Sequence, residues 1–319
     1  MRRTIALIII LLAGVTAAQA KTYPSHAIRI VSPFAAGAVS DISFRILADK
    51  LSARLNVPVI MENQPGGGGI AAARTVLTSP PDGYTLALLS NATAISVGLF
   101  KNLTFDPRTD FVPVAGVSDF EYLFVTNSES KYRTLPEFIE AARKNPGKLN
   151  VGTANAGTSN HLTALLFKST LGLDFLVVPH RGPSELSVAL YRNDLDLVVN
   201  AYGGLRQGID DGKIRVLAVS SPSRSPLLPD APTAQEAGVA GFEVLTWNGL
   251  YAPAGTPKEA IALLEREVQA ILTEPDVIKR FLDLSVQARP TSAEVLGRRM
   301  ASEIERWTKV INDAGIERR

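Results

Sequence analysis

Residues 28–55 read IRIVSPFAAGAVSDISFRILADKLSARL. The run Ile28–Val31 predicts a buried strand, Pro33–Gly37 a loop of mostly small residues, and Ser40 with Asp41 the opening of a helix. Ile42, Ile46, Leu51 and Leu55 give that helix a buried stripe. A strand that turns into a helix through such a loop leaves the first backbone N–H groups of the helix unpaired. They sit at the positive end of its dipole, where an anion is stabilised. The pattern recurs at Thr153–His161 (TANAGTSNH), after a predicted strand Lys148–Gly152 and before a helix carrying Leu162, Leu165, Leu166 and Phe167.

Short β-rich runs alternate with helical patterns along most of the chain. Ten strands are predicted: Ile28–Val31, Val57–Met61, Thr85–Leu89, Val112–Val117, Leu123–Val125, Lys148–Gly152, Phe175–Val178, Leu195–Val199, Ile214–Val219 and Leu250–Ala252. Eight helices are predicted: 41–55, 69–78, 135–145, 161–171, 183–193, 257–273, 275–284 and 292–314. Such alternation implies an α/β fold with parallel sheets covered by helices. The element count exceeds one comfortable sheet and points to two domains. Val112–Val125 reads as a crossing between them, and Ser221–Pro232 with Glu236–Thr246 as the return. The first domain is then 21–122 with 242–319, and the second is 123–241. A single large sheet with a surface loop at 221–232 is the other reading. The last helix, with Val295, Met300, Ile304, Trp307 and Ile311, reads as a packing helix.

The N-terminus is a separate module. Arg2 and Arg3 precede an apolar run Ile5–Val15, and Ala18-Gln19-Ala20 fits a signal-peptidase site with cleavage after Ala20. The run is shorter than the ~20 residues of a membrane span. Residues 1–20 are therefore expected to be a removable export signal, and the periplasm the destination. The chain of 319 residues has no cysteine, which excludes disulfides, thiol nucleophiles, cysteine-held metals and a lipidated cysteine. Of the 33 basic residues two lie in the signal, so cleavage would leave the basic count equal to the 31 acidic residues. With no block of like charge, no nucleic-acid partner is expected.

Open α/β sheets bind ligands beyond the carboxyl ends of their strands. Residues at those ends are Ser90 and Asn91, the loop residues Ala156, Gly157, Thr158, Ser159, Asn160 and His161, then His180 and Arg181, and Asn200 with Tyr202. Thr158, Ser159 and Asn160 are N-cap types that either close their helix or turn toward a ligand. Arg181 suits an acidic ligand or a surface ion pair. Asp41 has two readings, as a helix cap or as an acceptor for a ligand amino or hydroxyl group. Gly66–Gly69 matches a dinucleotide fingerprint only in part, without a ribose-binding acid, so no cofactor is expected. With three scattered histidines, His26, His161 and His180, and no cysteine, no zinc site is expected. Ser159 with His161 or His180 and Asp41 leaves a hydrolase as a minor alternative, although no G-x-S-x-G elbow is present.

The chain resembles the substrate-binding proteins of tripartite tricarboxylate transporters, also called Bug receptors. The matching pieces run in order through it: Tyr23-Pro24, Ile28–Phe34, Glu62-Asn-Gln-Pro-Gly66, Pro81-Asp-Gly-Tyr-Thr85, Phe105-Asp-Pro107, Phe111-Val-Pro-Val114, Asn145-Pro-Gly-Lys-Leu149, His161-Leu162, Pro232-Thr233 with Glu236-Ala-Gly238, and Ala252-Pro-Ala-Gly-Thr-Pro257. The resemblance implies a two-domain Venus-flytrap fold of the periplasmic binding protein type, each domain a sheet flanked by helices. It implies a small organic acid held between the domains and delivered to integral-membrane transporter subunits, without catalysis. A monomer is expected, and a sensor that signals to a membrane partner is the alternative within this class. Carried over by position, Phe34, Ala35, Gly37 and Asp41 contact the ligand from one side, and Gly157, Thr158 and Asn160 from the other; Ser40, beside Asp41, is a further candidate. Ser90 and Asn91 form a third contact. The chain departs from the family where Ala38, Val39 and Ser40 replace glycines, where His180-Arg181 replaces a common Tyr-Lys pair, and where Asn200 replaces a commonly acidic residue.

Overall fold

Residues 23–65 and 69–318 are described by the structure, a computed structural model. The expected export signal with its cleavage point, and glycines 66–68 of the partial dinucleotide fingerprint, lie outside the described residues. No helix among the described residues is long and apolar enough to cross a membrane.

The elements follow in the order β1 (Ile28–Ser32), α1 (Val39–Leu55), β2 (Val59–Asn63), α2 (Ile70–Leu77), β3 (Thr85–Ser90), α3 (Asn91–Leu99) and β4 (Phe111–Asn127). Then come α4 (Leu135–Lys144), β5 (Asn150–Thr153), α5 (Ser159–Thr170), β6 (Leu176–Pro179), α6 (Pro183–Tyr191), β7 (Leu197–Ala201), α7 (Arg206–Asp210) and β8 (Ile214–Val219). The chain ends with β9 (Leu245–Pro253), α8 (Lys258–Leu272), α9 (Pro275–Asp283), β10 (Gln287–Ser292) and α10 (Ala293–Asp313).

The strands run in the order β2-β1-β3-β9-β4-β7-β5-β6, with β8 and β10 also paired to β4. Each end of this path is the parallel α/β unit that the alternation predicts: β2, β1 and β3 form one wing, and β7, β5 and β6 the other. The centre is antiparallel, which alternation does not reveal. The sheet expected for each wing is present, and β4 belongs to both. Val112–Val117 and Leu123–Val125 are parts of one 17-residue strand, whose first part pairs with β9 and β10 and whose second part pairs with β7 and β8. Register shifts at Pro113/Ala115, Gly116/Ser118 and Phe124/Val125 bend it, as bulges do.

At the junction β4 and β9 run as a continuous pair, Ser118↔Asn248, Asp119↔Trp247, Phe120↔Thr246 and Glu121↔Leu245. Asn248 donates to Ser118 Oγ at 3.0 Å, and Arg299 of α10 pairs with buried Asp119 at 2.8 Å while lying over Trp247. Burial pushes the Asp119 carboxyl up more than Arg299 draws it down.

Two apolar clusters each serve one wing. Ile28, Ile30, Phe44, Leu47, Leu51, Leu264, Val268 and Phe281 pack α1, α8 and α9 on the first. Leu186, Leu190, Leu195 and Val198 pack α6 on the second. A third cluster is shared by both wings, from Val76, Leu99 and Trp307 through Trp247 and Phe124 to Phe138, Phe167 and Phe175. Trp307 is fully buried, as expected for a packing helix. Val295 is 41% exposed, however, and Leu296 takes its place in the stripe with Met300, Ile304 and Ile311. Residues 296, 300, 304, 307 and 311 follow the helical period, and Val295 falls outside it.

Candidate ligand-binding site

The loops after β1 and β5 are built alike. Gly37 and Gly157 both take positive φ, +84° and +82°, which the missing Cβ permits. In each loop the next residue, Ala38 or Thr158, is extended and precedes the first helical residue. Ala38 N–H donates to Ala35 O and Thr158 N–H to Asn155 O, both at 3.1 Å. In each, the glycine N–H donates to the side chain four residues on: to Asp41 Oδ2 at 2.8 Å and to His161 Nδ1 at 3.4 Å. The two loops therefore share one locking geometry, closed by a carboxylate in one wing and an imidazole in the other.

Asp41 is fully buried. Its Oδ2 also accepts from Arg45 at 3.0 Å, and its Oδ1 accepts from Asn63 Nδ2 at 2.7 Å. Asn63 Nδ2 also reaches the Phe34 carbonyl at 3.0 Å. Of the two readings of Asp41, neither describes this arrangement. The carboxylate holds the loop upstream of its helix, and both oxygens are engaged within the first wing. Gly37, expected as a ligand donor, has its N–H committed to Asp41. Phe34 is partly buried, Ala35 and Val39 are exposed, and Ser40 is buried.

Neither helix start is capped by a side chain: Ala38 has no oxygen to offer, and the Thr158 hydroxyl makes no cap bond. Thr158 Oγ1 instead lies 2.5 Å from Asn155 O and 2.6 Å from Asn160 Oδ1, so its one proton serves one acceptor at a time. The capping reading thus fails for Thr158. The Val39, Ser40, Ser159 and Asn160 N–H groups have no hydrogen-bond partner among the described residues, as first-turn groups have none within their own helix. Asn160 Oδ1 accepts from the His161 N–H at 3.0 Å, and its Nδ2 donates to Asn200 Oδ1 at 3.3 Å.

The structure joins the second loop to three other elements. Tyr122 of β4 donates to Ser159 Oγ at 2.7 Å, Asn160 reaches Asn200 at the end of β7, and a Cβ on Gly157 would lie 3.2 Å from Leu99 of α3. A groove of about 330 Å³ lies between α3 and this loop, lined by Ala92, Ser96, Leu99, Ala156 and Thr158 among others. No hydrogen bond joins the first loop to the second among the described residues. Ser90 and Asn91, expected in a loop, are corrected: Asn91 opens α3 and Ser90 caps it. Ser90 Oγ accepts from Ala92 N–H at 3.2 Å, and Ser90 N–H donates to Thr93 Oγ1 at 3.3 Å. His180 Nδ1 lies 2.9 Å from Val178 O. The exposed Arg181 donates its backbone N–H to Glu185, and its guanidinium makes no ion pair among the described residues.

Sequence reasoning missed Tyr122 and Asn63. Tyr122 lies inside the predicted crossing, where spacing carries no signal of a site. Asn63 ends β2 beside the first loop, a position that only the sheet order reveals.

The two locks differ in acid sensitivity. Burial lowers the His161 pKa from its ordinary 6.5. For Asp41, burial raises the pKa, but bonds from Arg45, Asn63 and Gly37 and the Arg45 charge outweigh it and hold the group below its ordinary 3.8. Both folded values are depressed, so each lock contributes fully above its unfolded value and is lost as pH falls through the folded one. On acidification the second loop is expected to loosen first, below pH 6.5, and the first only below pH 3.8. Amide NMR of Gly157 and Gly37 across a pH titration checks this; simultaneous transitions would contradict it.

Comparison with known proteins agrees with this architecture. The family model for the tripartite tricarboxylate transporter family receptor matches residues 43–316. The chain is 34% identical over 290 residues to a UPF0065 protein from the tcbD-tcbE intergenic region of Pseudomonas sp. strain P51, covering 91% of this chain and 86% of that one. It superposes on MatC from Rhodopseudomonas palustris with bound malate at TM-score 0.72 and 32% identity, covering 91% and 100% of the two chains. An R. palustris protein with adipate gives TM-score 0.77 and 29% identity, covering 93% and 100%. The joined α/β wings and the family match over most of the length lead to one conclusion: this chain belongs to the tripartite tricarboxylate transporter receptor family.

Proposed function

We infer that this solute-binding receptor of a tricarboxylate-type transporter holds a small organic carboxylate between its two wings. The observation that carries the reading is the matched pair of uncapped helix starts, one per wing, each locked by a glycine N–H bonded four residues ahead. Such starts offer oriented N–H donors and a positive dipole end to an anion without reorganising. The malate and adipate complexes of relatives support a small acid as this chain's ligand. The lobes divide at 122/123 and 241/242. The ligand contacts come from Phe34, Ala35 and Ser40 on one side, and from Ala156, Gly157, Thr158, Ser159 and Asn160 on the other, with Ser90, Asn91, His180, Arg181 and Asn200 around them. The signal directs export to the periplasm and is cleaved after Ala20, and the monomer docks transiently on membrane subunits.

A non-catalytic role fits the hydroxyl chemistry. Ser159 Oγ is bonded to Tyr122, and neither His161 nor His180 is hydrogen-bonded to it; an acyl-transfer serine needs such a base. A thermal-shift screen across mono-, di- and tricarboxylates, amino acids and aromatic acids tests the function. Ligand at 100 times its Kd is expected to stabilise the protein by about 2.7 kcal/mol. Turnover of a substrate abolished by Ser159→Ala would overturn the receptor reading.

A further inference from the structure

We propose that Asn200 sets the ligand class: an acid that presents an acceptor oxygen to this amide and carries no ammonium group. The inference rests on the receptor reading and narrows it. The orientation of the amide is fixed by a chain of bonds that begins at the backbone. The His161 N–H can only donate, so the Asn160 atom 3.0 Å from it is the oxygen, and Asn160 Nδ2 points the other way, to Asn200. The Asn200 atom facing that donor, at 3.3 Å, must then be its oxygen. Its Nδ2 is left over. That group is buried and has no hydrogen-bond partner among the described residues, in a residue only 7% exposed.

A buried NH₂ group without an acceptor is rare and calls for an explanation. Its surroundings supply one. Asn200 lies in β7 beside the start of α5, and a Cβ on Gly204 would come within 3.0 Å of Nδ2 and within 3.1 Å of Pro183, at the start of α6. The orphan donor thus sits at the ligand end of the second wing's strands. A second one comes from the first wing: Asn91, 1% exposed at the start of α3, also has an Nδ2 without a partner among the described residues. The uncapped N–H groups of α1 and α5 add further donors. Against these stands one carboxylate among the candidate residues, Asp41, with both oxygens engaged. Glu185 is exposed and bonded to the Arg181 N–H. Donors answered only by acceptors suit a diacid, or an acid with a keto or ester oxygen. An ammonium group would meet N–H donors and the positive ends of two dipoles.

The experiment is calorimetry with acids matched to their amino counterparts: succinate and aspartate, glutarate and glutamate, adipate and 2-aminoadipate, 3-phenylpropionate and phenylalanine. For the pair that binds, the wild-type protein is expected to prefer the ammonium-free acid at least tenfold. Asn200→Asp keeps the oxygen that Asn160 needs and replaces the orphan donor with an acceptor. It is expected to weaken that acid at least tenfold and to narrow or reverse the preference. Equal wild-type affinity for the amino acid, or unchanged acid affinity in Asn200→Asp with its fold intact by circular dichroism, overturns the inference while leaving the receptor reading in place. Should the variant not fold, the wild-type preference decides alone. Binding of neither member of any pair, nor of any acid in the wider screen, overturns the receptor reading itself and the inference with it.

Discussion

Asp41→Ala is expected to lower the stability of the receptor by about 1–3 kcal/mol and to weaken ligand binding together with it. The fully buried carboxylate accepts from Gly37 N–H, Asn63 Nδ2 and Arg45 Nε. Truncation removes the acceptor of the Gly37 N–H, which lies in an exposed turn that water can reach, and one of the two acceptors of Asn63 Nδ2, which keeps its bond to the Phe34 carbonyl; the loss is that of hydrogen bonds to a charged group, about 1–3 kcal/mol in all. Arg45 is 45% exposed and returns to solvent, so its lost ion pair adds little. Because Gly37 N–H fixes the turn into α1, the same truncation releases the loop that carries Phe34 and Ala35. Urea denaturation measures the stability, and calorimetry with the best ligand from the screen measures the site. Asp41→Asn separates the effects: it retains one acceptor but sets an NH₂ group against a donor, and an intermediate loss is expected. A midpoint and affinity both unchanged in Asp41→Ala would show that the first loop holds its shape without the lock.

Gly157→Val is expected to cut ligand affinity at least tenfold while the protein stays folded. Its φ of +82° lies where a β-branched residue is strained, at roughly 1–2 kcal/mol or more. The added Cβ would lie 3.2 Å from Leu99, so the loop has to move away from α3. That movement carries the N–H groups of the α5 start with it. Gly172→Val is the control: φ there is also positive, at +59°, but the space around it is open and it lies beyond the far end of α5. Similar melting temperatures for the two variants, with binding lost in Gly157→Val alone, identify the loop as part of the site. Full affinity in Gly157→Val would reduce it to a connector.

The two wings were legible because their signals are local. Ile28–Val31 with Pro33–Gly37, and Lys148–Gly152 with Asn155–Gly157, carry strand, loop and helix start within a few residues, and the structure has an element at each. The centre was not legible. The continuity of β4 depends on β9, which joins it from more than 100 residues away, and on bulges that let one strand serve both sides. Strand β10 contains Pro290, which offers no N–H and reads as a break; the structure tolerates it at a register shift between Ala288 and Thr291. Helix α3 escaped because Gly98 interrupts an already weak pattern. That glycine lets α10 pass, since a Cβ there would lie 3.0 Å from the Thr308 Cα. Its capping pair, Ser90 and Thr93, was visible in the sequence and is the signal that would have found it. At the site, residue types were readable but their commitments were not. Nothing in the spacing says that Asp41 is closed by Asn63, or that Asn200 is turned by Asn160.

The β4–β9 pair at the junction has a mechanical consequence. Four successive rungs, from Ser118↔Asn248 to Glu121↔Leu245, join strands that continue into structure on either side. A swing of one wing against the other therefore has to twist a hydrogen-bonded ribbon, because no free loop lies between β4's two sets of partners. Ribbons yield to torsion and resist sliding, so opening would act as an elastic load spread over these rungs. Release of the load would return the wings to the same alignment after each cycle, with the Arg299–Asp119 pair as a clamp on the spring.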